Sequence, residues 1–150
     1  MFTPHQNPLA TFETNTTHYE QYSLTRAYNG ETFYWAPMPQ PGEFILIRFQ
    51  NPTQLSGFKF VSGNAEHPSD LFEKATIQVL PNDPYADLSS LTLQKSSGGF
   101  FVVGVFDKNG VAEGDINYNV MGKVKELRIL VGKNHENSII LSEIHLKTAE

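Results

Sequence analysis

An all-β fold, specifically a β-sandwich of the jelly-roll type, is what this 150-residue sequence predicts. Short apolar or alternating runs recur between clusters of turn-forming residues. The 11 Phe, 6 Tyr and 9 Pro favour strands and turns. No segment sustains a helical period. Residues 1–10 are polar and broken by proline, so 1–18 is expected as a tail or linker and 19–150 as the domain. No basic region leads into an apolar run there, so no signal peptide is expected. Asn15-Thr16-Thr17 is a glycosylation sequon, meaningful only in a secretory lumen.

The first candidate strand covers residues 21–27. Residues 44–49 (FILIRF) are apolar on both faces, as a central buried strand should be. Phe58 and Phe60 alternate with Lys59, and Ile77 and Val79 with Thr76 and Gln78. Residues 100–106, 123–131 and 138–147 complete the set. In the last, Ile140, Ser142, Ile144 and Leu146 share one face, and Ile139, Leu141, Glu143 and His145 the other. Residues 123–130 could pass for a short helix, but bracketing glycines and β-branched residues favour a strand. Seven or eight strands with turns between them make a sandwich whose loops gather at its two ends.

Composition excludes several function classes. A chain of this length buries roughly 70% of its unfolded surface, enough for one core. The net charge is −5, and no arginine-rich run exists, so a nucleic-acid partner is not expected. No apolar stretch approaches the roughly 20 residues of a spanning helix, so membrane insertion is not expected. With no cysteine, disulfides, thiolate zinc sites and cysteine nucleophiles are excluded.

Three loop segments concentrate polar and aromatic groups: residues 31–37 (ETFYWAP), 62–70 (SGNAEHPSD) and 109–115 (NGVAEGD). Sugars are held by aromatic faces packed on ring C–H groups and by carboxylates, amides and imidazoles bonding the hydroxyls. A carboxylate accepts from two adjacent hydroxyls, and such charge-assisted bonds are roughly twice as strong as neutral ones. Asp70, Glu66, His67 and Asn64 form that inventory, and Phe33, Tyr34 and Trp35 supply aromatic faces. For at least two of the three aromatics, burial in the core is the expectation. The plain alternative for residues 62–70 is a turn in which Asn64 and Asp70 cap their own backbone. Glu113, between glycines, is expected as an exposed hairpin residue, with sugar contact as the alternative.

Catalytic motifs are absent: there is no Gly-x-Ser-x-Gly elbow, Walker loop or Gly-x-Gly-x-x-Gly. His5, His18, His67, His135 and His145 have no metal-ligand spacing, so no zinc site and no cofactor are expected; no EF-hand spacing is present, and calcium held by loop oxygens stays open. Asp70 and Glu113 could in principle pair as glycosidase carboxylates, which is kept as a minor alternative.

FYWAP (33–37), PGEFILIRF (41–49), SGNAEHPSD (62–70), NGVAEGDI (109–116) and ILSEIHLK (140–147) fall in one order along the chain. With these words the sequence resembles the C-terminal domain of the N-acetylglucosaminyltransferase IV family from about Tyr19 onward. Residues 81–99 show little similarity. The resemblance implies a galactose-binding-like jelly roll, similar to family 32 carbohydrate-binding modules, that binds terminal GlcNAc on branched N-glycans. It further implies a non-catalytic module attached to a transferase domain in the Golgi lumen, and Asp70 as the principal sugar contact. His67, Glu66 and Asn64 share its motif, and Glu113 belongs to the second. A protein-interaction sandwich without sugar binding is the alternative.

Overall fold

The computed structural model describes residues 7–15, 24–37, 39–63, 66, 68–83, 85–132 and 138–149. Its strands are β1 (Ala10–Thr14), β2 (Tyr34–Ala36), β3 (Phe44–Ser62), β4 (Thr76–Pro81), β5 (Gln94–Lys95), β6 (Phe101–Val105), β7 (Val111–Asp115), β8 (Lys123–Leu130) and β9 (Ile139–Thr148). Two short helices, α1 (Leu24–Tyr28) and α2 (Tyr118–Met121), lie between strands. The paired strands all run antiparallel. One layer runs β1-β3-β8-β4-β6-β5 and the other β2-β9-β3-β7. This is the β-sandwich that the alternating runs predict.

β3 belongs to both layers. Its first part pairs with β1 and β8, its second with β9 and β7. The register to β8 slips between Arg48 and Thr53, where Pro52 has no N–H to give a ladder. Before the slip Ile45, Ile47 and Phe49 face the core; after it Phe58 and Phe60 do. The two apolar runs that read as separate strands are therefore one strand that turns a corner.

Aromatic rings step through the core from Phe58 to Phe60 (6.1 Å between centroids), then Phe106 (6.3 Å) and Phe72 (5.2 Å). Phe58 fits because β6 and β7 carry glycines beside it. A Cβ on Gly104 would stand 2.7 Å from the Phe58 ring, and one on Gly114 would stand 3.1 Å away. Gly114 thus serves packing inside a strand. The segment 109–115, expected as a loop, is a turn only to Gly110 and a strand from Val111 to Asp115.

Two further expectations are corrected. Within 21–27 the described part is helical: Leu24, Ala27 and Tyr28 are buried at spacings of three and four, one helical stripe. At five residues α1 is too short for that stripe to stand out as a period. Residues 7–15, expected as tail, belong to the fold. Ala10 to Thr14 pair with Phe49 to Ile45. The Asn7 side-chain amide donates to the Tyr28 and Ile144 carbonyls (2.9 and 2.8 Å) and accepts from the Leu146 N–H (2.9 Å).

The buried Tyr28 hydroxyl donates to the Pro8 carbonyl at 2.6 Å, and its ring meets Phe12 edge-on at 4.9 Å. Burial pushes the phenol well above its ordinary value near 10. A folded-state pKa raised above the unfolded one gives stability that is complete below the unfolded value and lost as pH climbs past it. Tyr28→Phe, which deletes the hydroxyl, should be less stable than the parent by about 1 kcal/mol at neutral pH. That difference should shrink and then reverse above about pH 10, as urea unfolding across pH will check.

Candidate functional site

The candidate residues gather where β3 ends and β4 and β9 begin. The register between β3 and β9 slips between Val61 and Ser62, leaving Ser142 unpaired as a bulge. Its hydroxyl donates to the Val61 carbonyl at 3.0 Å. A bulge turns the following side chains to the opposite face. Ile144 and Leu146 face the core on one side of it, and Ile139 and Leu141 on the other. Ile140, expected on the same face as Ile144, is buried outside the core cluster instead.

β2 pairs with β9 at this point, and its alternation decides the aromatic residues. Tyr34 lies opposite Leu141 and is 1% exposed, a core residue. It cannot touch a saccharide, which corrects its place among the expected sugar contacts. Trp35 lies opposite Ile140 on the outward face and is half-buried. Phe33, also half-buried, meets the Trp35 ring edge-on at 5.9 Å.

On the other side of β9, the backbone of Ile140 holds both ends of the polar segment. Its N–H donates to the Asp70 carbonyl (3.2 Å), and its carbonyl accepts from Gly63 (2.7 Å). Ser62 braces the stem from below. The Ser62 amide and hydroxyl both donate to the Gly110 carbonyl (2.9 and 2.6 Å), and its oxygen accepts from Phe72 N–H (2.8 Å). Asp107 in turn organises the neighbouring hairpin, its Oδ1 accepting from Asn109 and Val111 N–H.

Asp70 and Trp35 therefore flank one residue of β9, with backbones two strand spacings apart, about 10 Å. Asp70 is half-buried, and among the described residues none hydrogen-bonds its carboxylate. Glu66 is exposed on the same segment. Asn64 and His67 lie outside the described residues. Glu113 is not brought to this group. It sits exposed on β7, opposite Lys59, which faces His145 on its other side. Lys59 is three residues down β3 from Ser62, about 10 Å along the strand. His145 Nε2 lies 2.9 Å from Glu143 Oε1, so this is a polar face of the β3–β9 pair turned to solvent.

Sequence reasoning missed Ser62, Gly110 and Ser142. The signal for the last is one hydroxyl inside an apolar run (IILSEI). Among the described residues, no three His, Asp or Glu side chains cluster closely enough to hold a metal ion, and no helix is long and apolar enough to cross a membrane.

The family model described as the MGAT4 C-terminal domain matches residues 10–143. The chain belongs to this family. The match begins with β1, inside the segment expected as tail. The chain is 38% identical over 155 residues to alpha-1,3-mannosyl-glycoprotein 4-beta-N-acetylglucosaminyltransferase B of Danio rerio, and 39% identical over 145 residues to the A enzyme of Xenopus tropicalis. These alignments take in 97% and 95% of this chain but only 28% and 27% of those proteins. The chain thus spans little more than a quarter of the length of these relatives. Among solved structures, the lectin domain of lectinolysin, complexed with Lewis B antigen, superposes with a TM-score of 0.64 at 10% identity over the whole of both chains. The family 32 carbohydrate-binding module of C. perfringens NanJ, in complex with galactose, reaches 0.62 at 11% identity, covering 91% of this chain and 92% of the module. The MGAT4 C-terminal domain family therefore carries here the sandwich of family 32 modules, as the resemblance implies.

Proposed function

We propose that this chain is a non-catalytic lectin module that binds terminal GlcNAc on branched N-glycans for an attached transferase domain in the Golgi lumen. The observation that carries the reading is the pairing of Asp70 and Trp35 across Ile140 at the rim of the sandwich. A carboxylate anchored by its own backbone can accept from the O3 and O4 hydroxyls of a sugar. An aromatic surface from Phe33 and Trp35 packs the ring or its acetamido methyl. Because O4 is equatorial in GlcNAc and axial in galactose, a carboxylate bridging O3 and O4 discriminates between them. The names of the relatives, which transfer N-acetylglucosamine, support the choice of sugar.

A glycan array probed with the 150-residue chain tests this. GlcNAc-ended branches should be retained over galactose-ended ones, with millimolar monosaccharide affinity of about −4 kcal/mol. The sugar is uncharged, so raising the salt concentration should change retention little. Silence across the array would favour a protein-interaction module. Turnover of a chromogenic GlcNAc glycoside would favour a glycosidase.

A further inference from the structure

A cleft of about 410 Å³ opens at the far end of β4 from Asp70, between the ends of β4 and β8 and the segment 82–101. Leu80, Leu88 and Phe100 give it an apolar lining, and Lys95 and Lys125, both exposed, stand at its edge. Its carboxylate is Asp83, whose Oδ1 already accepts from the Tyr85 N–H at 2.9 Å. Tyr85, next along that turn, is 92% exposed.

The wall of the cleft is fixed in place. Arg128 stacks over the Phe100 ring at 4.0 Å and donates to Gln78 Oε1 (2.8 Å), Ser96 Oγ (3.0 Å) and the Ser97 carbonyl (3.0 Å). Gly98 and Gly99 hold positive φ angles of 73° and 85°, which let the turn close against Leu80. A preformed cleft with an apolar lining and a few converging polar groups is what a small-molecule site looks like.

We propose that this cleft is a second saccharide site, selective for a sugar that carries a carboxylate. The apolar lining of Leu80, Leu88 and Phe100 accepts the C–H face of the ring, while Lys95 and Lys125 hold the carboxylate. Among the residues that line the cleft, two ammonium groups stand against the one carboxylate of Asp83, within a chain of net charge −5; Asp87, on the adjoining cavity that Lys95 also lines, has its Oδ1 engaged by the Ser89 N–H and hydroxyl. An extended acidic peptide fits less well, because the adjacent edge strand β5 has only two residues to pair with an added strand.

The test is a titration of the isotope-labelled 150-residue chain followed by amide chemical shifts. The probes are N-acetylneuraminic acid methyl glycoside, glucuronic acid and neutral GlcNAc. Saturable shifts confined to residues 80–101 and 125 are expected with at least one acid and not with GlcNAc, and a response to only one acid identifies the source of the carboxylate. Because the contact is ionic and exposed, affinity should fall several-fold as the Debye length shrinks from about 30 Å to about 3 Å with added salt. The double variant Lys95→Gln, Lys125→Gln should lose about tenfold or more in affinity while its spectrum stays dispersed. Asp70→Ala should leave the response unchanged, which separates this site from the GlcNAc reading. Shifts of equal size in residues 80–101 and 125 with GlcNAc, no saturable shift with either acid, or a response only to an acidic peptide would overturn the proposal.

Discussion

Asp70→Ala is expected to abolish detectable glycan binding without unfolding the chain. A millimolar monosaccharide site amounts to about −4 kcal/mol, and hydrogen bonds to a charged group are worth about 1.5–3 kcal/mol each. Losing two of them leaves almost nothing to measure. The fold should survive because the contribution of Asp70 to it is the carbonyl that accepts from Ile140 N–H, which alanine keeps. Asp70→Asn retains shape and one acceptor but no charge, so it should bind about tenfold more weakly than the parent rather than not at all. Calorimetric titration with a GlcNAc-ended oligosaccharide, alongside urea unfolding, checks both variants. Undiminished binding by a folded Asp70→Ala protein would remove the site from this carboxylate.

Gly110→Ala should give a large loss of stability, for two reasons that add. The residue holds φ at +76°, and a Cβ there would lie 2.4 Å from Ser62 Oγ and 2.7 Å from Leu71 Cδ2. A left-handed conformation costs an L-residue roughly 1–2 kcal/mol, and overpacking adds about 1–3 kcal/mol. Gly30→Ala separates the two, because Gly30 has a similar φ of +79° but no atom within 4 Å of the new methyl. It should show the backbone cost alone. Gly110→Ala should also weaken glycan binding, since moving Ser62 releases Phe72 N–H and with it the stem of the Asp70 segment. Equal urea midpoints for the two variants would show that the Ser62–Leu71 contact yields freely.

Much of this was legible in the residues. Alternation located β4 and β8, and the apolar run 44–49 located the start of β3, because one or both faces of those strands meet the core. Three features escaped for physical reasons. α1 is barely more than one turn, so its stripe of Leu24, Ala27 and Tyr28 is shorter than a period needs. Gly114 looks like a turn residue, yet it is there to admit the ring of Phe58, its partner on the neighbouring strand β3 some 56 residues earlier, a long-range demand invisible locally. The bulge at Ser142 reverses the faces of β9, so strict alternation misplaced Ile140. At the site, the motif pointed to Asp70, and the structure sets its backbone across Ile140 from Trp35. It could not separate Tyr34 from Trp35, because adjacent aromatic residues on a three-residue strand look alike until the partner strand assigns their faces.

The corner-turning β3 makes the two layers thermodynamically inseparable. Each layer needs that strand in its interior, between β1 and β8 in one and between β9 and β7 in the other. Neither can therefore open on its own without leaving the shared thread unpaired along half its length. Amide protons in both layers should exchange through one common unfolding event, and the rim that carries Asp70, hanging from the end of that thread at Ser62, inherits its rigidity from the whole domain.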